Sequence, residues 1–201
     1  MEVFIYLFAA LFSVLNPIGT VPIFVGLTEG YTKAELSKTS LWTAINVCII
    51  LLISFFIGQY VLSFFGITIT ALRIAGGIII TNSGFGLLNG QFSKNKGINK
   101  KVEEEAQVRS DIALTPLAMP MLAGPGSMSL LIAYYQELKS SDGFISTYEI
   151  VSSSLAIVVV AVVIFIVLRS AYFLSKILGN SGIIAISRIV GFLTIAIGIQ
   201  Y

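Results

Sequence analysis

The sequence has no histidine, a single cysteine and few charged residues, and each shortage excludes a class of function. Only 11% of its 201 residues are charged, against roughly 25% in a typical soluble domain. Without histidine the chain lacks the commonest metal ligand and the commonest general base. Cys48 alone cannot form an internal disulfide. We therefore expect no enzyme activity, no cofactor and no metal site.

What the chain has instead is hydrophobic residues, which make up 56% of it. They recur in runs of roughly 18 to 25 residues, the length of helix that crosses ~30 Å of hydrocarbon. Membrane β-strands would be about 10 residues long and would alternate polar with apolar side chains. The sequence therefore predicts an all-α membrane protein with six transmembrane helices, at 3–27, 41–65, 68–89, 112–135, 150–174 and 183–201.

The basic residues of the loops predict an orientation in the membrane. Nine of them fall on one side, namely Lys33, Lys38, Lys94, Lys96, Lys100, Lys101, Arg109, Arg169 and Lys176, and Lys139 alone falls on the other. Because cytoplasmic loops carry the excess of lysine and arginine, the charged middle loop is predicted to be cytoplasmic and both termini outside. We expect a multi-pass protein of the plasma or inner membrane, in contact with the lipid bilayer. The formal charge of +2 gives no reason to expect nucleic acid as a partner.

Two sequence features recur in the two halves of the chain. Pro17 and Pro22 interrupt the first segment, and Pro120 and Pro125 interrupt the fourth at the same spacing. Arg-Ile followed by one residue and a glycine opens both the third segment, at Arg73, and the sixth, at Arg188. The halves are predicted as repeats at 1–89 and 112–201, joined by a charged linker at 90–111. Since each holds an odd number of spans, the second repeat is inverted, as in many secondary transporters.

The paired prolines predict broken helices that surround a binding site. A proline removes a backbone donor and clashes with the preceding turn. In hydrocarbon, unwound backbone survives only where it is buried or lines a wet cavity, and a restarted helix aims free N–H groups there. The alternative is a pair of kinks without function. The predicted substrate-binding residues at the breaks are Asn16, Pro17, Gly19, Thr20, Pro22, Pro120, Gly124, Pro125, Gly126 and Ser127.

Arg73 and Arg188 are the charged residues that fall within or near the predicted spans. Either they extend to the membrane surface or cap a neighbouring helix, or they line two vestibules and meet solute carboxylates. We include both among the predicted substrate-binding residues. The helical faces that carry them also carry glycines, which packing between helices explains.

The motifs "NPIGTVPIF", "LRIAGG" and "PLAMPMLAGPGSM" resemble the MarC family of integral membrane proteins. The resemblance runs along essentially the whole chain, to the terminal "SRIVGFLTIAIGIQ". That family includes SnatA-like neutral amino-acid transporters, so the resemblance implies six spans, transport of glycine-like or alanine-like solutes, and a pore region at Asn16–Pro22 and Pro120–Ser127.

We therefore expect a secondary transporter or exporter of small neutral amino acids that works by alternating access. The alternatives are a channel for small solutes and a structural or assembly membrane protein. No phosphate-binding GxxxxGK[ST] loop is present. Coupling to Na⁺, coupling to H⁺ and downhill transport all stay open, and so does an oligomeric state.

Overall fold

The computed structural model describes residues 2–89, 112–139 and 145–200, without the side chains of Thr115, Pro116, Pro120 and Asn180. The predicted linker 90–111 lies outside these residues. Within them the fold is all-α, as predicted, and contains no β-strand. Its helices are α1 (Glu2–Leu15), α2 (Val21–Leu27), α3 (Lys33–Phe64), α4 (Ile69–Leu88), α5 (Ala113–Leu122), α6 (Pro125–Glu137), α7 (Thr147–Arg169) and α8 (Ala171–Gln200).

Four of these helices are long and apolar enough to cross a membrane. They are α3, α4, α7 and the Ser181–Gln200 part of α8, and they correspond to the predicted segments 41–65, 68–89, 150–174 and 183–201. The other two predicted segments are each divided into two shorter helices, α1 with α2 and α5 with α6. The interruptions predicted from the prolines are therefore present in the backbone.

The polar loop predicted over residues 28–40 is shorter than expected, because α3 begins at Lys33. Thr32 and Glu35 form a capping box at this point. Glu35 N–H donates to Thr32 Oγ1 at 3.3 Å, and Thr32 N–H donates to Glu35 Oε2 at 2.8 Å. This reciprocal pair satisfies two free backbone donors and starts the helix a turn or two before its apolar part.

The turn predicted over residues 175–182 is present at Gly179 but is shorter than expected. The chain is helical from Ala171 onward, and the described backbone leaves helical geometry at Gly179, where φ is 58° and ψ is 176°. Glycine adopts this left-handed φ without a steric penalty. The chain therefore enters its last spanning segment through a kink at one residue.

The helix pair with the most extensive contact is α4 with α8, and glycines make this closeness feasible. A Cβ added to Gly84 would lie 2.8 Å from the carbonyl oxygen of Gly191, and one added to Gly191 would lie 2.9 Å from that of Gly84. Further along, a Cβ on Gly198 would lie 2.9 Å from the carbonyl oxygen of Gly77. Small residues let helix backbones approach in this manner. The packing interpretation of these glycine faces is confirmed.

The interrupted helix α1 lies inside the bundle, against α7 and α8. Leu7 and Leu11 on α1 are fully buried. Thr194 of α8, also fully buried, donates through Oγ1 to the carbonyl oxygen of Ser13 at 3.0 Å, and Ser13 Oγ lies 3.1 Å from the same hydroxyl. A polar link therefore fixes the end of α1 next to its interruption.

Replacement of Gly191 by alanine should destabilise the protein, because its Cβ would meet Leu87 Cβ at 2.8 Å and the Gly84 carbonyl at 2.9 Å. Overpacking of this kind costs about 1–3 kcal/mol. The measurement is the apparent melting temperature of detergent-purified protein. Gly26→Ala is the matched control, since a Cβ at Gly26 meets nothing within 4 Å. Equal melting temperatures for the two variants would contradict the prediction.

Candidate functional site

The first interruption is a turn built by Asn16. It is the one non-glycine residue with positive φ, 41°, in the described part of the chain, and asparagine is among the few residues that tolerate this region. Its side-chain Oδ1 accepts from the N–H of Gly19 at 3.1 Å, and its carbonyl oxygen accepts from Thr20 Oγ1 at 3.2 Å. Gly19 has to be glycine because a Cβ there would collide with the Asn16 amide. Residues 16–20 therefore connect α1 to α2 with their polar groups paired locally.

The second interruption follows a π-helix, α5. Its wider turns appear in two hydrogen bonds across five residues, from Leu117 N–H to the Ile112 carbonyl at 3.4 Å and from Ala123 N–H to the Ala118 carbonyl at 2.8 Å. Pro116 and Pro120 have no N–H to donate to an α-helical ladder. The π-helix therefore replaces the regular helix where the sequence cannot complete one.

Helix α6 restarts the chain at Pro125, with Gly124 as its N-cap and no side-chain cap. Ser127 Oγ donates to the Gly124 carbonyl at 2.9 Å, and Met128 N–H donates to the same oxygen at 3.2 Å. The N–H groups of Gly126 and Ser127, in the first turn, have no acceptor within the helix. This restart after residues 123–124 is tighter than the five-residue turn at Asn16.

The two interruptions meet at one cavity of about 270 Å³. It is lined by the end of α1, the turn that follows it, the end of α5, the start of α6 and one face of α4. None of the described residues that line it carries a charge. The lining residues are Val14, Leu15, Asn16, Gly19, Thr20, Ile79, Ile80, Ser83, Leu87, Met121, Leu122, Gly124, Pro125, Gly126 and Ser127.

The cavity brings helix ends of both polarities together. The last residues of α1 and of α5 line it, and helix C-termini carry carbonyl groups and a partial negative charge. The first turn of α6, with Gly126 and Ser127, presents N–H groups and the positive end of its dipole. The arrangement can therefore bind a cationic and an anionic group of one small solute without a charged side chain.

Most of the residues predicted at the breaks line this cavity, namely Asn16, Gly19, Thr20, Gly124, Pro125, Gly126 and Ser127. The prolines Pro17 and Pro22 do not line it. Pro17 is buried beside the turn, and Pro22 lies in the first turn of α2. The backbone of Pro120 lies within α5, and its side chain is outside the described part of the protein.

The two arginines do not reach the cavity. Arg73 Nη2 forms an ion pair with Glu137 Oε1 at 2.7 Å, which joins the start of α4 to the end of α6. Arg73 also lines a separate groove beside α8, and Arg188 is exposed on α8 itself. The structure therefore does not place the predicted arginines and the break residues in a single site.

Sequence reasoning did not assign Ser83 or the apolar wall of the cavity to the site. Ile80, Ser83 and Leu87 line the cavity from one face of α4. Their spacing of three and four residues places them on one face of the helix, and this pattern is visible in the sequence. From the sequence we considered the face of the same helix that carries Arg73 and the glycines. That face packs against α8.

These features define a polytopic helical membrane protein in which two interrupted helices meet at a small uncharged cavity. Over residues 1–201 the chain matches the MarC family of integral membrane proteins, and it belongs to that family. It is 37% identical over 201 residues to a membrane protein of Buchnera aphidicola subsp. Acyrthosiphon pisum (strain APS), covering 100% of this chain and 90% of that protein.

Two relatives from Escherichia coli are nearly as similar. The membrane protein YhcE of strain K12 is 36% identical over 202 residues, which cover 99% of this chain and 89% of YhcE. The inner membrane protein MarC of E. coli O1:K1 is 36% identical over 197 residues, which cover 95% of this chain and 88% of that protein. No solved structure matches the chain significantly.

Asn16→Ala should destabilise the protein more than Asn16→Gly. Both variants lose the hydrogen bond from Gly19, but only alanine is strained at a φ of 41°. A left-handed alanine costs about 1–2 kcal/mol. Chemical unfolding in detergent, followed by tryptophan fluorescence, measures the difference. An alanine variant as stable as the glycine variant would show that the turn relaxes out of this conformation.

Proposed function

We propose that this protein is a secondary transporter of small neutral amino acids that works by alternating access. The observation that carries the proposal is the uncharged cavity between the two helix interruptions. Unwound backbone at membrane depth is stable where it lines a water-filled or solute-filled space. Transporters of several folds bind their solutes between such half-helices.

The size and charge of the cavity support the solute class. Its volume of about 270 Å³ lies just below the range of roughly 300–1,000 Å³ typical of sites for drug-sized ligands. Three of the lining residues, Gly19, Gly124 and Gly126, have no side chain that would extend into the cavity. Since no charged side chain lines it among the described residues, a solute with net charge would enter without a counter-ion, which is unfavourable at membrane depth. A small zwitterion carries both charges and no net charge.

A zwitterionic amino acid would match the helix ends that surround the cavity. Its carboxylate would accept from the N–H groups of Gly126 and Ser127 at the start of α6, where the helix dipole favours an anion. Its ammonium group would donate to carbonyl groups at the ends of α1 and α5. The Asn16 amide, whose Oδ1 is already bound to Gly19, would add its NH₂ group as a donor.

The contacts between helices support the inverted repeat that goes with this mechanism. Exchange of the halves turns the contact of α1 with α7 into that of α5 with α3, and both contacts occur. The same exchange turns the contact of α2 with α8 into that of α6 with α4, and both of these occur as well. The pairs α4 with α8 and α3 with α7 map onto themselves. We propose repeats at 1–89 and 112–201.

The lengths of the divided helices support six spans. Helices α1 and α2 have 14 and 7 residues, or together about 32 Å at 1.5 Å per residue. That equals the ~30 Å thickness of the hydrocarbon core. We propose that α1 with α2, and α5 with α6, each cross the bilayer, with the middle loop cytoplasmic and both termini outside. The inner membrane is the proposed location, as for the relative named inner membrane protein MarC.

Purified protein in liposomes should give saturable uptake of radiolabelled alanine or glycine, with acceleration by unlabelled alanine on the opposite side. Imposed Na⁺ and H⁺ gradients in parallel experiments identify the coupling ion by the gradient that drives accumulation. Protein-free liposomes are the control. Unsaturated flux without counterflow would replace the transporter by a channel, and no flux for any amino acid would leave a structural or assembly role.

Gly126→Leu should reduce alanine uptake, because the side chain projects toward Ile80, whose Cγ1 lies 3.0 Å from a Cβ at this position. A leucine there would occupy space that the solute needs, and each ~1.4 kcal/mol of binding free energy that is lost corresponds to a tenfold loss of affinity. Gly26→Leu is the matched control, since its Cβ faces open space. Equal uptake by both variants, at equal protein in the membrane, would exclude this cavity as the solute site.

Replacement of Pro17 and Gly19 together, or of Pro125 and Gly126 together, by alanine should suppress transport while membrane insertion persists. Alanine favours continuous helix, and a continuous helix offers no free backbone groups to a solute. Uptake in liposomes and protease protection of the inserted chain are the two measurements. Normal transport rates in both double variants would reduce the interruptions to kinks without function.

A further inference from the structure

An exposed asparagine lies in the interior of α4. Asn82 is solvent-accessible in the isolated chain, and its side chain makes no hydrogen bond with another described residue. Helix α4 has 20 residues, Ile69–Leu88, and Asn82 lies about 9 Å from its nearer end at 1.5 Å per residue. Its short side chain cannot reach the membrane surface from that depth. In hydrocarbon an amide needs a hydrogen-bond partner, so something has to supply one.

The exposed face of α7 shows what a lipid-facing helix of this protein looks like. Its exposed positions from Val151 to Ile166 are all apolar, and they are Val151, Leu155, Val158, Val162 and Ile166. Such a face needs no hydrogen-bond partner when it contacts lipid chains. The exposed face of α4 differs from it by the amide of Asn82.

Asn82 belongs to a stripe of exposed residues with the spacing of a helix–helix seam. The α4 stripe consists of Ile74, Ile78, Asn82 and Phe85, at successive intervals of four, four and three residues. Ile74, Ile78 and Phe85 are 62%, 65% and 48% exposed. In parallel helix pairs a single asparagine in an apolar seam bonds to its equivalent in the partner and sets the register. Asparagine also associates helices within membranes.

The α4 stripe borders a groove that could receive side chains from a second helix. The groove has a volume of about 530 Å³ and is lined by all four stripe residues. Gly77 and Gly198, where α4 and α8 are in close contact, line it too. A partner that presents isoleucine or phenylalanine at matching heights would fill it.

We propose that a second copy of this chain docks on the α4 stripe, with the two α4 helices parallel across a twofold axis normal to the membrane. Both copies have the same orientation in the bilayer, so the two Asn82 side chains lie at equal depth. An amide carries both donors and an acceptor and is complementary to itself. The pair satisfies each Asn82, while the apolar stripe residues of one copy enter the groove of the other. This dimer does not depend on the transported solute.

Cross-linking in native membranes tests the geometry. Cys48→Ala removes the only cysteine, and Ile78→Cys, on the α4 stripe, is then introduced for oxidation with copper phenanthroline while Asn82 is kept. The expected result is a covalent dimer as the main product. Val158→Cys, on the exposed face of α7, is the matched control and should stay monomeric. Cross-linking at Ile78 no greater than at Val158 would overturn the proposal.

Single-molecule photobleaching of labelled protein in lipid bilayers tests the role of the amide. The unsubstituted protein should bleach in two steps, Asn82→Gln should retain two steps, and Asn82→Leu should shift the population to one step. A melting temperature of Asn82→Leu equal to that of the unsubstituted protein shows that each chain stays folded. One-step bleaching of the unsubstituted protein, or two steps for Asn82→Leu, would overturn the proposal.

Discussion

A peptide N–H or C=O group without a partner costs several kcal/mol in hydrocarbon, and this cost constrains every interruption of a membrane helix. The protein meets the constraint differently at its two breaks. At Asn16 the side chain and Thr20 replace the missing backbone partners. At Pro116 and Pro120 the chain widens into a π-helix and then restarts at Pro125. The ends of α1 and α5 and the first turn of α6 lie around one cavity.

A tightly packed pair of helices, α4 and α8, forms a frame against which the shorter half-helices lie. Helices α4 and α8 are in backbone contact through Gly84 and Gly191, and any side chain between them would separate the pair. Helix α2 has only 7 residues and depends on its neighbours, since so short a helix is not stable by itself. Tyr172 OH donates to the Thr28 carbonyl at 2.8 Å and so attaches the end of α2 to α8. In the proposed transport mechanism, the half-helices would move against this frame.

Polar side chains at the far end of α6 attach it to α3 and α4. Arg73 bonds Glu137, and Gln59 Oε1 accepts from Gln136 at 2.8 Å and from Lys139 at 2.7 Å. Arg73 and Glu137 are 34% and 46% exposed, and an ion pair this accessible contributes only about 0–1 kcal/mol. A contact of this strength stabilises the observed position of α6 only slightly. The arginine contacts the end of α6 and does not line the cavity.

The sequence by itself determined the membrane class, the four continuous spans and the places where the other two segments are broken. These follow from the local physics of apolar run length and of proline, which neighbouring helices do not alter. Only the tertiary structure decided which helix faces meet. It placed Ser83 in the cavity and Arg73 outside it, and it assigned the glycines Gly84 and Gly191 to the α4–α8 contact. A helix has several faces of similar composition, and the choice among them depends on packing between residues that are distant in the chain.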